Sequence, residues 1–165
     1  MAIISGKEKI EAAMSWLLQG NHWFYGAESL SKKWVEDRSV DTLSTCGTGI
    51  IKYNPEYIEG ISFDNTVYCV VHENDHDILM HPFRASELGM DLKVANIAAD
   101  IVVNLREIAA GFMPPMGVII RPKFTGWSFE GVYEAIYQEE KEKKTQKFGT
   151  QKQSEDKGKG QSHNG

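Results

Sequence analysis

Residues 62–84 read SFDNTVYCVVHENDHDILMHPFR. The run from Val67 to Val71 is apolar, and it leads directly into His72-Glu73-Asn74-Asp75-His76, a match to the pattern H-E-x-x-H. Ser62 has the character of a helix N-cap, and the spacing predicts one long helix across the whole segment. On a helix, residues four apart differ by about 40° around the axis and lie about 6 Å apart along it. Both imidazoles then converge on one point and can share a tetrahedral metal ion. Glu73 falls about 100° from His72, at the edge of that face. From there it can take a proton from an attacking water without ligating the metal, as a general base must.

The next helix is predicted from about Asp91 to Ala110, after a bend at Glu87-Leu88-Gly89-Met90. Its segment VANIAADIVVNL is apolar except for Asn96, Asp100 and Asn104, which recur every four residues. A polar line on an apolar helix needs partners. Asp100 is the candidate third metal ligand, with the two asparagines as its hydrogen-bonding neighbours. A short connection favours an antiparallel helix pair, which brings Asp100 level with His76 and Asn104 level with His72. His81 is the competing third ligand. On a continuous helix it points away from His72, and no glycine turn returns it, so a hydrogen-bonded structural role is expected. Asp75 and Asp77 read as solvated helix charges, and Cys69 as a small buried thiol.

Further out, Ser5-Gly6-Lys7-Glu8 has capping-box spacing, and Ile10, Met14, Leu17 and Leu18 form one face of a first helix ended by Gly20. A second helix is expected from about Asn21 to Asp37, with Trp23, Ala27, Leu30 and Trp34 inward. TLSTC (42–46) and GIIKYN (49–54) flank Gly47 and read as two strands of a hairpin. Asn54-Pro55 starts a turn, Val118-Ile119-Ile120 lies in an extended stretch, and Ser128 caps a last helix with Phe129, Val132, Tyr133 and Ile136 at helical spacing. Trp16, Trp23, Trp34 and Trp127 read as core or groove aromatics. The expected class is α+β, mostly helical with a small β-sheet.

The sequence of 165 residues divides in two by composition. Residues 1–144 are patterned for one domain, and 145–165 (TQKFGTQKQSEDKGKGQSHNG) are polar enough to be expected as a disordered tail. That tail carries four lysines and two acids, so of the net charge of −5 the body holds −7. An acidic body argues against nucleic-acid binding, which needs a basic face. No apolar run is long enough to cross a membrane and the start lacks the apolar core of a secretory signal, so a cytoplasmic protein is expected. Two cysteines in a chain of this length do not make a disulfide scaffold.

Four segments taken together, STCGTGIIKYNPEYIEGIS, VVHENDHDILMHPFR, VANIAADIVVN and GFMPPMGVIIRPKFTGWSFEGVYEAI, resemble a metallopeptidase domain family of bacterial and phage proteins, often found ahead of a von Willebrand factor A-like domain. Asn74 and Asp75 stand where the pattern of that family is usually apolar. The resemblance implies a zincin-like fold, His72 and His76 as metal ligands, Glu73 as catalytic acid–base, and Asp100 at the acidic position of the second motif. The expectation is therefore a zinc-dependent metallopeptidase acting on a peptide or protein substrate. The alternatives are a non-catalytic zinc-binding interaction or assembly module, and a zinc hydrolase acting on a non-peptide amide.

Overall fold

A computed structural model describes residues 4–156, with side chains described up to residue 145. The order is α1 (Gly6–Gln19), α2 (Trp23–Leu30), β1 (Lys33–Glu36), β2 (Leu43–Thr45), β3 (Ile50–Tyr53), α3 (Pro55–Gly60), α4 (Phe63–Ile78), α5 (His81–Glu87), α6 (Leu92–Ala109), a 3-10 turn (Pro122–Phe124) and α7 (Phe129–Asp156). The class is α+β, as expected. Among the described residues, no helix is long and apolar enough to cross a membrane.

The helix starts are chemically specified. Ser5 and Glu8 form the capping box of α1. Asn54 accepts from the amides of Glu56 and Tyr57, so Asn54-Pro55 opens the short helix α3, with proline in the first turn where its missing N–H costs nothing. Ser62 caps α4, Asp91 caps α6, and Ser128 Oγ accepts from Gly131 N at 3.1 Å.

The sheet order is β1-β3-β2, with β1 parallel and β2 antiparallel to β3. The β2–β3 hairpin matches the expectation, but β1 corrects it: the second helix stops at Leu30, and Trp34 lies on a strand paired with Ile51. Lys33-Trp34-Val35-Glu36 has the aromatic and β-branched content of a strand, and pairing with β3 outweighs the helical spacing of the indoles. Within α2 the inward positions are Gly26 and Ser29, whereas Trp23 and Leu30 face out. Gly26 is small because α1 passes over it: a Cβ there would stand 2.7 Å from the backbone nitrogen of Leu18. Trp16 and Trp127 are also exposed, so only Trp34 packs partly against the core.

Two apolar clusters hold the domain together. The first joins α1 to α4 through Ile10, Met14, Leu17, Val67, Val70 and Val71, with Tyr53 and Ile58. The second joins α5, α6 and α7 through Ala85, Ala98, Ile101, Phe129, Val132 and Ile136. Burying each large aliphatic side chain contributes about 1.5–3 kcal/mol. The two clusters meet where α4 faces α6, and His72 and His76 of α4 meet Asp100 and Glu107 of α6 along that seam.

The segment 62–84 is not one helix. α4 ends at Ile78, Met80 takes left-handed backbone angles (φ 54), and α5 begins at His81. Pro82 sits in the first turn of α5, where proline is accommodated. The other end of the chain also differs in extent. α7 runs past residue 144 to Asp156, through a stretch rich in the helix formers Lys, Gln and Glu. Residues 157–165 of the expected tail lie outside the described residues.

Candidate metal centre

α4 presents His72, Glu73 and His76 to a cavity of about 770 Å³, and α6 presents Asp100 to the same space. His72 Nε2 and His76 Nε2 are 3.0 Å apart. Asp100 Oδ1 lies 3.2 Å from His76 Nε2 and 3.7 Å from His72 Nε2. Two imidazole nitrogens that close, with a carboxylate oxygen beside both, need a proton or a cation between them. A tetrahedral ion with ligands at 2.0–2.1 Å requires donors about 3.3–3.4 Å apart, and the three distances bracket that value. The donor set and its spacing therefore fit zinc. Among the described residues, these three form a cluster able to hold a metal ion.

The electrostatics follow from the same contacts. Burial pulls the His72 imidazole down, but its contacts with Asp100 and Glu107 outweigh this and raise it to about 10. Burial pushes Asp100 up, and the two histidines more than compensate, holding it at about 2. Glu73 is 7% exposed, and burial raises its carboxyl above the ordinary glutamate value, opposed by His72 and His76. A raised carboxyl is better matched to accepting and returning a proton near neutral pH.

Several neighbours differ from the expectation. Asn104 does not turn to Asp100. It accepts the Tyr68 hydroxyl at 2.5 Å and donates to Ile119 O at 2.9 Å, while Asn96 is exposed at the cavity wall. His81 is not remote from the histidine pair. The left-handed turn at Met80 brings its Nδ1 to 3.3 Å from His76 Nδ1, with its ring packed on Phe129. Burial first, and then the neighbouring His76, lower its pKa to about 3. A neutral His81 can accept a proton shared with His76, on the side of that ring opposite Nε2. Its expected structural role fits, but its location does not.

Asp75 and Asp77 are not solvated. Asp75 is fully buried, receives the Tyr25 hydroxyl at 3.0 Å and lies 3.5 Å from Arg106 Nε. Asp77 accepts from Thr45 at 2.8 Å and pairs with Lys32 at 3.1 Å. Asn74, also fully buried, donates to Ser29 Oγ at 2.6 Å and to Val70 O at 2.7 Å. The residues between and beside the two histidines thus tether the back of α4 to α2, α6 and β2. Cys69 is buried as expected, which pushes its thiol up to about 12.

Glu107 is absent from the sequence-based site. It is 1% exposed, and its Oε2 lies 3.5 Å from His72 Nδ1. Burial pushes its carboxyl up to about 7, against the pull of His72. The signal was present: Glu107 continues the polar line of Asn96, Asp100 and Asn104 at a step of three instead of four, which keeps the same face of a 3.6-residue helix.

A small α+β domain with a His–His–Asp cluster on two facing helices is the class that fold and site define. In sequence, residues 6–165 match the family described as "Putative metallopeptidase domain". The chain belongs to that family. Comparison with curated proteins and with solved structures gave no match.

Proposed function

We propose that this chain is a zinc-dependent hydrolase of peptide bonds, with His72, His76 and Asp100 holding the metal and Glu73 as general base. The observation that carries this reading is the convergence of His72 Nε2, His76 Nε2 and Asp100 Oδ1 at 3.0–3.7 Å, with Glu73 on the same cavity wall. When bound, zinc supplies Lewis acidity, which lowers the pKa of water toward ~7 and polarises a carbonyl. The protein does the rest. His72 and His76 direct their Nε2 lone pairs to one point, and Asp100 adds the negative charge that favours a dication there. Glu73 accepts the proton of the attacking water and returns it to the departing amine nitrogen. Burial, which raises the Glu73 carboxyl, supports that return step.

The substrate would lie along β2. β3 is the central strand and has no free edge. β2 is an edge strand, and Thr42 to Cys46 line the cavity, so β2 is the strand able to pair with an extended peptide. Met116, Val118 and Ile119, which also line the cavity, offer apolar surface to substrate side chains.

The test joins metal analysis to a peptide-cleavage screen. The expected result is one zinc per chain, cleavage by the wild type, and a Glu73→Gln variant that keeps zinc and loses cleavage. Zinc at full occupancy in the His72→Ala/His76→Ala double variant would overturn the metal assignment. Cleavage unaffected by Glu73→Gln would overturn the catalytic one. Zinc binding without hydrolysis of any peptide would point instead to a non-catalytic zinc-binding module.

A further inference from the structure

Glu107 is a buried carboxylate whose two oxygens have no hydrogen-bond partner among the described residues. A buried carboxylate without a partner is costly and calls for a nearby donor or positive charge. Two donors stand near it: the Tyr68 hydroxyl, whose proton goes to Asn104, and His72 Nδ1, at 3.5 Å. That nitrogen lies on the side of the ring opposite Nε2, which faces His76 and Asp100. Glu107 therefore cannot share a metal with the three-residue cluster, but it can act on the outer nitrogen of one of its histidines. Asp100 and Glu107 are seven residues apart on α6, about 20° from alignment around the helix, so one face of α6 serves both nitrogens of the same imidazole. The His72 ring is also stacked on Tyr68, with centroids 5.8 Å apart and planes at 25°. Tyr68 in turn is fixed by its hydrogen bond to Asn104.

We propose that Glu107 is the positioning residue of the metal centre: its carboxylate accepts the Nδ1–H of His72, which commits His72 to the tautomer with a free lone pair on Nε2 and holds that lone pair toward His76 and Asp100. This rests on the reading above of His72 as a metal ligand. Glu107 touches neither metal nor substrate and acts only through the imidazole. Partners of this kind fix the tautomer and raise ligand basicity, and their loss costs about 10–100-fold in metal affinity. A glutamate that merely fills space would behave differently, because glutamine of the same shape would replace it without loss.

The experiment uses the full chain and zinc alone. Zinc affinity is measured by competition with a chromophoric chelator for the wild type, Glu107→Gln and Glu107→Ala. Imidazole nitrogen NMR of the zinc-loaded proteins reads which His72 nitrogen carries the proton. The expected result is a single Nδ1–H tautomer for His72 in the wild type. Affinity should fall about 10-fold in Glu107→Gln, whose amide oxygen still accepts, and about 100-fold in Glu107→Ala, with the wild-type circular dichroism retained. If Glu107→Ala does not fold, the glutamine variant is read alone. Variants that bind zinc within twofold of the wild type, with the His72 tautomer unchanged, overturn this proposal and leave the metal site standing. A wild type that binds no zinc overturns the metal site, and this proposal with it.

Discussion

Asp100→Asn removes one charge from the cluster and almost no volume. The Asp100 carboxyl falls from 3.8 to about 2 because its contacts with His72 and His76 outweigh the cost of burial. At about 1.4 kcal/mol per pH unit, a drop of that size is roughly 2 kcal/mol, or one to two orders of magnitude. It measures how strongly this carboxylate favours positive charge at the histidine nitrogens. A zinc dication carries more charge than a proton and is ligated directly, which adds to that factor, whereas loss of Asp100 also eases release of the His72 proton that zinc must displace, which subtracts from it. The side chain is only 27% exposed, which limits screening by solvent. Asp100→Asn should therefore lower zinc affinity by about 10–100-fold, with circular dichroism and the apo melting temperature little changed. Competition with a chromophoric chelator gives the affinity. Wild-type affinity in Asp100→Asn would refute the reasoning and return the third position to His81 or water.

With zinc removed by chelator, stability should fall as pH rises from about 6.5 to 9.5, above the range in which the lowered His81 opposes the trend. His72 is raised in the fold to about 10, above the ordinary imidazole value of about 6.5, so its contribution is complete below about 6.5 and is lost as pH rises through 10. Glu107, raised from 4.5 to about 7, favours the fold when neutral and works in the same direction at lower pH. Zinc must displace the His72 proton, so its affinity should increase by up to about tenfold per pH unit over 6.5–9. Thermal melts and chelator titrations check both, and a chelated protein most stable at pH 9.5 would contradict the assignment. Met80, left-handed and half exposed, should tolerate glycine with little change or a gain of up to about 1 kcal/mol, whereas Met80→Val should lose about 1–3 kcal/mol in chemical denaturation. Iodoacetamide at pH 8 should label Cys46, which is exposed, and spare Cys69, and mass spectrometry should find one adduct per native chain.

The parts of the molecule legible in its sequence are those governed by local periodicity and capping. The His72–His76 pair, the Asp100 stripe, the caps at Ser5, Ser62 and Ser128 and the β2–β3 hairpin all depend on residues close in sequence. The parts that escape depend on remote partners. β1 is a strand because β3, fourteen or more residues later, pairs with it in parallel, while the spacing of Trp23, Ala27, Leu30 and Trp34 is helical. The burial of Asp75 and Asp77 depends on Tyr25, Arg106, Thr45 and Lys32, none of them neighbours in the chain. The break before His81 occurs at a methionine, a residue with no outward preference for a left-handed turn. Pro82 is the legible hint, as a residue suited to a first helical turn.

The tethers on the back of α4 bear on how this motif can diverge. Asn74 and Asp75 occupy the two positions of H-E-x-x-H that take no part in the proposed chemistry, and both are fully buried against other elements. They are free in reactivity but bound in packing. Replacing Asn74 with an apolar residue would strand the Ser29 hydroxyl, which could then serve only the Tyr25 carbonyl it already meets. Replacing Asp75 would leave Tyr25 and Arg106 facing an empty acceptor position. Drift within the family should therefore come in coordinated exchanges, with position 74 changing together with 29, and position 75 together with 25 and 106. Relatives with an apolar pair inside the motif should carry a correspondingly apolar second helix, and in an alignment those columns should covary while His72, Glu73 and His76 stay fixed.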